Sequence, residues 1–304
     1  MIFEGDHGVI EALHEKKRLR ATGRDHEHIK PLLIIDGGLM KGAYGVGAAI
    51  ALEDAGLIDS FVNVVGISSG APTAAYLLGK NTHEGSRVLI EDCTSKEFLN
   101  VWRFWQQVNT RYVIDILSTD PPRGIDDDAV FKSAITLHIG VADFLTGKPK
   151  LIVPQTEIEL FQAIHASILM PNISTEVVTL KDIRYVDGGF TRPHIMDSAL
   201  KEIAATHVLV ITNQDQSVTT IPRLERLLNH TIYRWRMPGP LRFAAHERRR
   251  ERMKVIAAMK QNSDVPYGLV WGDHSIGSME RNPRTVATVV ERSRAWWQEL
   301  LHLT

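Results

Sequence analysis

The residues best placed for chemistry in this chain are a serine and an aspartate, each set among glycines. Ser68 stands in Gly66-Ile67-Ser68-Ser69-Gly70, between an apolar run and a small-residue helical pattern. This is the pattern of a nucleophile elbow. Its glycines permit a turn tight enough to lift the hydroxyl to the end of a sheet, at the N-terminus of the next helix. The helix dipole and unpaired N–H groups there favour developing negative charge. Alone, the pentapeptide is a weak signal, because a glycine-rich strand-to-helix turn uses the same letters.

A second glycine turn strengthens it. Asp36-Gly37-Gly38-Leu39-Met40-Lys41-Gly42 lies one strand–helix unit earlier, and Gly37 precedes Ser68 by 31 positions. A phosphate-binding loop would need Gly-Lys-Ser/Thr, whereas here Lys41 is followed by Gly42 and Ala43. A dinucleotide fingerprint needs G-x-G-x-x-G/A. Counting from Gly37 the third position is Leu39, and counting from Gly45 the sixth is Ile50. An oxyanion loop needs only backbone N–H groups, so that reading survives. The serine also needs a base. Asp187, in Tyr185-Val186-Asp187-Gly188-Gly189, and several histidines are candidates. An Asp-Gly-Gly run is equally a tight turn closed by an Asx bond.

The elements around these residues follow an α/β grammar. The pattern predicts a leading helix over 6–20, a buried strand at 31–35, a helix at 43–55 and a strand at 62–65. A small-residue helix at 71–78 follows. Helical patterns run through 84–107. Strands are expected at 136–143 and 150–154, a helix at 157–169, and a hairpin at 177–179 and 184–186. A helix at 195–205, a strand at 207–212, a basic helical segment at 222–260, a strand at 267–271 and a helix at 283–302 complete the reading. Without repeats or linkers, the expected organisation is an N-terminal polar and helical extension (1–30) and one domain (31–304) that contains the basic segment.

Composition bounds the function. The chain has 304 residues, 44% hydrophobic and 23% charged, an ordinary globular profile. Its net charge of -1 gives no global pull toward nucleic acid. The single cysteine, Cys93, excludes an internal disulfide and a cysteine-rich zinc site. The N-terminus carries no apolar signal segment, and the apolar stretch from Pro31 is interrupted by Asp36, Lys41, Glu53 and Asp54. A cytoplasmic protein without a membrane span is expected.

Asp36-Gly-Gly-x-x-Lys-Gly42, Gly66-x-Ser-x-Gly70 and Asp187-Gly-Gly189, in this order, resemble the patatin-like phospholipase family. Ala166-Ser-Ile-Leu-Met-Pro171 is similar to that family's A-S-x-A-x-P segment. Asp143-Phe-Leu-Thr-Gly-Lys-Pro149 and Asn282-Pro283 resemble its bacterial branch. The resemblance implies a three-layer α/β/α fold with a mostly parallel sheet. It implies a Ser–Asp dyad, with Ser68 as nucleophile and Asp187 as base. The N–H groups of Gly37, Gly38 and Leu39 would form the oxyanion hole, and Lys41 would hold the family's basic position. The implied substrate is a phospholipid or other fatty acyl ester, hydrolysed through an acyl-enzyme with no cofactor and no metal.

Leu39 departs from the family, which usually has a third glycine there. If φ is positive at that position, leucine is strained by roughly 1–3 kcal/mol; otherwise its side chain only narrows the acyl entrance. Two rival readings follow. One is a triad esterase with a later histidine such as His274 as base. The other is a catalytically weak lipid-binding or regulatory homologue whose oxyanion loop Leu39 has spoiled. Between 223 and 254 lie ten basic and three acidic residues. Leu224, Leu227, Leu228, Ile232 and Trp235 are spaced to bury one helical face. The charged face is either solvated or a peripheral contact with anionic lipid. Asp126-Asp127-Asp128 reads as a helix cap, and His26 and His28 as a polar loop.

Overall fold

A computed structural model describes residues 1–100, 102–103, 106–174, 176–216, 235–262 and 264–302. Nine strands of these residues make one sheet: β1 (Ile2–Gly5), β2 (Pro31–Ile35), β3 (Asn63–Ile67), β4 (Thr136–Asp143), β5 (Pro149–Ile152), β6 (Val178–Leu180), β7 (Ile183–Asp187), β8 (His207–Ile211) and β9 (Tyr267–Trp271). Their order is β1-β9-β8-β2-β3-β4-β7-β6, with β5 also paired to β4. The central strands β9, β8, β2, β3 and β4 are parallel, and β1, β5, β6 and β7 join antiparallel.

The helices are α1 (Gly8–Ala21), α2 (Ala43–Asp54), α3 (Gly70–Leu78), α4 (Thr82–Arg87), α5 (Thr110–Leu117), α6 (Asp127–Lys132), α7 (Glu157–Ile168), α8 (Ile195–Glu202), α9 (Gly239–Asn262) and α10 (Pro283–His302). They cover both faces of the sheet, which is why its central strands are continuous apolar runs rather than alternating ones. On β2, Leu33 and Ile35 pack with α1, α2 and α10, while Leu32 and Ile34 pack with α8 and α9. Every residue of β2 is buried.

Most expected elements form within a few residues of their predicted limits. Three points differ. Ile2–Gly5 is a strand, paired antiparallel with β9, where only a polar lead into a helix was expected. The helical pattern over 84–107 ends at Asp92 after a single wide turn, Val88–Asp92. Beyond it Leu99 bridges Val108, so the apolar residues of this stretch line a cavity instead of a helical stripe. The basic segment is helical over Gly239–Asn262, while Leu224, Leu227, Leu228 and Ile232 lie outside the described residues. Trp235, expected on a buried face, is exposed. No described helix is long and apolar enough to cross a membrane.

Candidate active site

Register brings the three glycine motifs together. Ile35 of β2 lies opposite Gly66 of β3, so the turns after both strands leave the carboxyl edge of the sheet side by side. Ile67 pairs with Gly140 of β4, and the next residue of β4, Val141, pairs with Asp187 at the end of β7. Asp187 therefore reaches the level of Ser68. Close approach explains two of the glycines. A Cβ on Gly70 would stand 2.1 Å from the Ile35 carbonyl oxygen, and one on Gly37 would stand 2.5 Å from Cβ of Ser68. Gly66, Gly188, Gly189 and Gly42 complete the turns: Gly188 is buried beside Gly140, and Gly42 leads into α2.

The Ser68 hydroxyl donates to Asp187 Oδ2 at 2.6 Å. Both side chains are buried. Ser68 sits at φ +53, a left-handed conformation rare outside glycine and characteristic of strained functional turns. Its N–H donates to Ser167 Oγ (2.9 Å), and the Ser167 hydroxyl in turn donates to the Gly140 carbonyl (2.7 Å). Ser167 had a signal in the sequence, the A-S-x-A-x-P likeness, but no role. Asp187 Oδ1 accepts the Gly189 N–H at 2.7 Å. Burial pushes the Asp187 carboxyl up to about 7, although the hydrogen bonds from Ser68 and Gly189 oppose the shift.

The Asp36 turn departs from expectation at one atom. Asp36 Oδ1 accepts the Gly37 N–H at 2.7 Å, so that donor is already used. The N–H groups of Gly38 and Leu39 have no acceptor among the described residues. Leu39 has φ +54, which decides the question left by the missing glycine: the leucine is in the left-handed region. Asp36 is buried, and its Oδ2 receives Arg252 of α9 at 3.2 Å. Burial raises the Asp36 carboxyl and the Arg252 guanidinium opposes it. Burial, then the charge of Arg249, pulls the Lys41 ammonium below its usual range.

Two cavities meet here. One, of about 80 Å³, is almost wholly apolar and runs from Ser68 between α2, α3 and α5 toward Val88 and Cys93. The other, of about 320 Å³, is a cleft of mixed lining, where Asp187, His194, Arg248, Arg249 and Arg252 stand beside Met170, Ile173, Phe190 and Met279. Leu39 and Ser68 are the residues common to both linings. The basic segment is thus not simply a solvated face. Arg248, Arg249 and Arg252 turn into the cleft, while Arg250 pairs with Glu247 outside. Nothing in the spacing of these arginines foretells that.

Among the described residues no histidine stands between Ser68 and Asp187. His274 is exposed and pairs with Asp215 at 3.2 Å. His194 lines the cleft, but burial and then Arg252 push its imidazole down to about 3, and Nδ1 accepts the Met196 N–H at the start of α8. Asp126 caps α6 through the Ala129 N–H, as its position predicted. Among the described residues no three metal-ligating side chains converge.

The family model for patatin-like phospholipases matches residues 33–200, over half of the chain. No curated protein matches it. Among solved structures, the chain is similar to VipD from Legionella pneumophila at 13% identity and TM-score 0.49, covering 90% of this chain and 67% of that one. It is also similar to the type III effector ExoU at 10% identity and TM-score 0.39, covering 90% of this chain and 53% of that one. ExoU bound to SpcU, from Pseudomonas aeruginosa, gives 18% identity and TM-score 0.30, over 79% and 54%. The chain thus spans two thirds of the VipD chain and about half of the ExoU chains. On the family match and its ordered motifs, the chain belongs to the patatin-like phospholipase family.

Proposed function

We propose that this chain is a lipid acyl hydrolase working through a Ser68–Asp187 dyad. The observation that carries the reading is the buried 2.6 Å hydrogen bond from Ser68 Oγ to Asp187 Oδ2. Asp187 takes the serine proton as Oγ attacks the ester carbonyl carbon, and the carbonyl oxygen becomes an oxyanion. The Gly38 and Leu39 N–H groups receive that charge, with the start of α3 behind Ser68 adding its dipole. The intermediate collapses to an acyl-serine as Asp187 returns the proton to the leaving alcohol. Water, deprotonated by Asp187, then releases the fatty acid and restores the serine. The left-handed Leu39 supports an active loop rather than a spoiled one, because it supplies the backbone conformation a glycine would while keeping its N–H. His274, paired with Asp215, offers no support for a triad.

The test is turnover of p-nitrophenyl butyrate together with labelling by a fluorophosphonate. Ser68→Ala and Asp187→Asn are each expected to lower kcat by at least about 10³-fold, with effects that do not add because the pair acts as a unit. His274→Ala keeps most activity. Near-normal turnover by Asp187→Asn would overturn the dyad.

A further inference from the structure

Three successive peptide units make the Asp36 turn, and each is held in a different way. A peptide unit is planar and trans, so the direction of its carbonyl fixes the opposite direction for the N–H that follows. The Asp36 carbonyl accepts Asn213 Nδ2 at 2.5 Å, and the Gly37 N–H of the same unit is spent on Asp36 Oδ1. The Gly38 carbonyl accepts the Lys41 N–H at 3.1 Å, so the turn itself fixes the unit that carries the Leu39 N–H. The unit between these two joins Gly37 to Gly38. Neither flanking residue has a Cβ, which leaves this unit the easiest of the three to rotate. Among the described residues its carbonyl, that of Gly37, has one hydrogen-bond partner, Gln214 Nε2 at 3.2 Å. Its N–H is that of Gly38, one of the two donors left open for an oxyanion.

Gln214 is itself firmly set. Just beyond β8, its N–H donates to Thr212 Oγ1 at 3.3 Å and its carbonyl accepts the Gly272 N–H at 2.9 Å. Side chains alternate along an extended strand. Asn213 breaks that alternation at φ +53, a left-handed conformation that asparagine tolerates, and both neighbouring amides reach the Asp36 turn. Gln214 also lines the cleft together with Gly38 and Ser68.

We propose that Gln214 is a positioning residue for the reaction: by holding the Gly37 carbonyl it keeps the Gly38 N–H aimed at the oxyanion of the ester. The inference rests on the dyad reading above. Without the amide the Gly37–Gly38 peptide is free to turn over. A half-turn puts the Gly37 carbonyl oxygen where the donor stood, so that an acceptor faces the oxyanion. With Gln214 the bond is made before substrate arrives, and the donor needs no reorganisation as charge develops.

The test is Gln214→Met, which keeps the length of the side chain and removes its donor. Turnover of p-nitrophenyl butyrate is measured per active site, with sites counted by fluorophosphonate labelling taken to completion, so unfolded protein does not enter the rate. Losing an oxyanion donor outright costs about 10²–10³-fold in kcat, and losing its aim is expected to cost less, about 10–10²-fold. KM is expected to stay within about twofold, because the interaction belongs to the transition state. The Ki of 1,1,1-trifluoroheptan-2-one, a ketone that forms a tetrahedral oxyanion on a reactive serine, is expected to rise by the factor by which kcat falls. A smaller labelled fraction with normal kcat per site would mean that Gln214 only supports the fold. A raised KM with normal kcat would mean that it only binds substrate. Either result, or an unchanged Ki, overturns the inference and leaves the dyad standing. Absence of butyrate turnover in the unsubstituted chain overturns the dyad and the inference with it.

Discussion

At the scale of single residues, the site is set by what burial does to one carboxyl. Asp187 is held up to about 7 chiefly by desolvation, and to act as the base of the proposed dyad it must be ionised. kcat/KM for a soluble ester is therefore expected to fall about tenfold per pH unit below about 7, and a profile flat down to pH 5 would rule Asp187 out as the base. The stability sign follows the same shift. The folded state binds this proton more tightly than the unfolded chain, so the contribution is fully present below pH 4 and is lost as pH rises through about 7. Asp187→Asn should flatten that part of the stability profile in urea titrations across pH. Ser167 gives a second prediction. Ser167→Ala leaves the buried Ser68 N–H without its acceptor, which costs about 1–3 kcal/mol and loosens the turn that aims the hydroxyl. Melting temperature and kcat should both fall, and an unchanged kcat would mean that the turn holds itself. The sequence carried the serine, the aspartate and the glycines, because those letters are tied to turn geometry. It did not carry the sign of φ at Leu39, which belongs to the folded turn, or the consumption of the Gly37 N–H, which depends on where Asp36 points its carboxylate.

At the scale of elements, α9 connects the two halves of the site. Arg252 binds Asp36 of the first glycine turn, and four residues earlier Arg248 stacks over Phe190, which follows the Asp187 turn. Arg192 reaches Glu251 from the same side at 3.6 Å. Removing one partner from a buried pair leaves an uncompensated charge, at a cost of about 3–5 kcal/mol. Arg252→Met should therefore destabilise by that order and lower turnover of even a small ester. Adding Asp36→Asn should restore part of the stability. If the double variant is no more stable than the single, the pair is not what Arg252 contributes. This link was not legible in the sequence, because its partners lie 216 positions apart and arginine spacing on a helix says nothing of which carboxylate receives it. The strands were legible for the opposite reason. A parallel strand covered on both faces must be apolar throughout, and Pro31–Ile35 and His207–Ile211 nearly are. The strand Ile2–Gly5 was not, since an antiparallel edge with two exposed ends has no such signature.

At the scale of the whole molecule, a chain of net charge -1 concentrates positive charge where the sheet opens. Over Gly239–Asn262 there are seven basic residues and two acidic ones, and this helix closes one side of the cleft. The rest of the chain therefore carries the compensating negative charge. Such an arrangement favours an anion at the cleft over one elsewhere on the surface. Half-buried arginines remain open to counterions, and salt shortens the reach of their field from about 30 Å at 0.01 M to about 3 Å at 1 M. Raising salt across that range should lower kcat/KM for an anionic lipid several-fold, mainly through KM. Turnover of p-nitrophenyl butyrate, which is uncharged, should hardly change. Since Ser68 and Asp187 line the same cleft, any direct salt effect on them would appear with both substrates. A loss shared equally by the two would therefore place the effect in the chemistry, and a loss confined to the anionic lipid places it in the arginine-lined cleft.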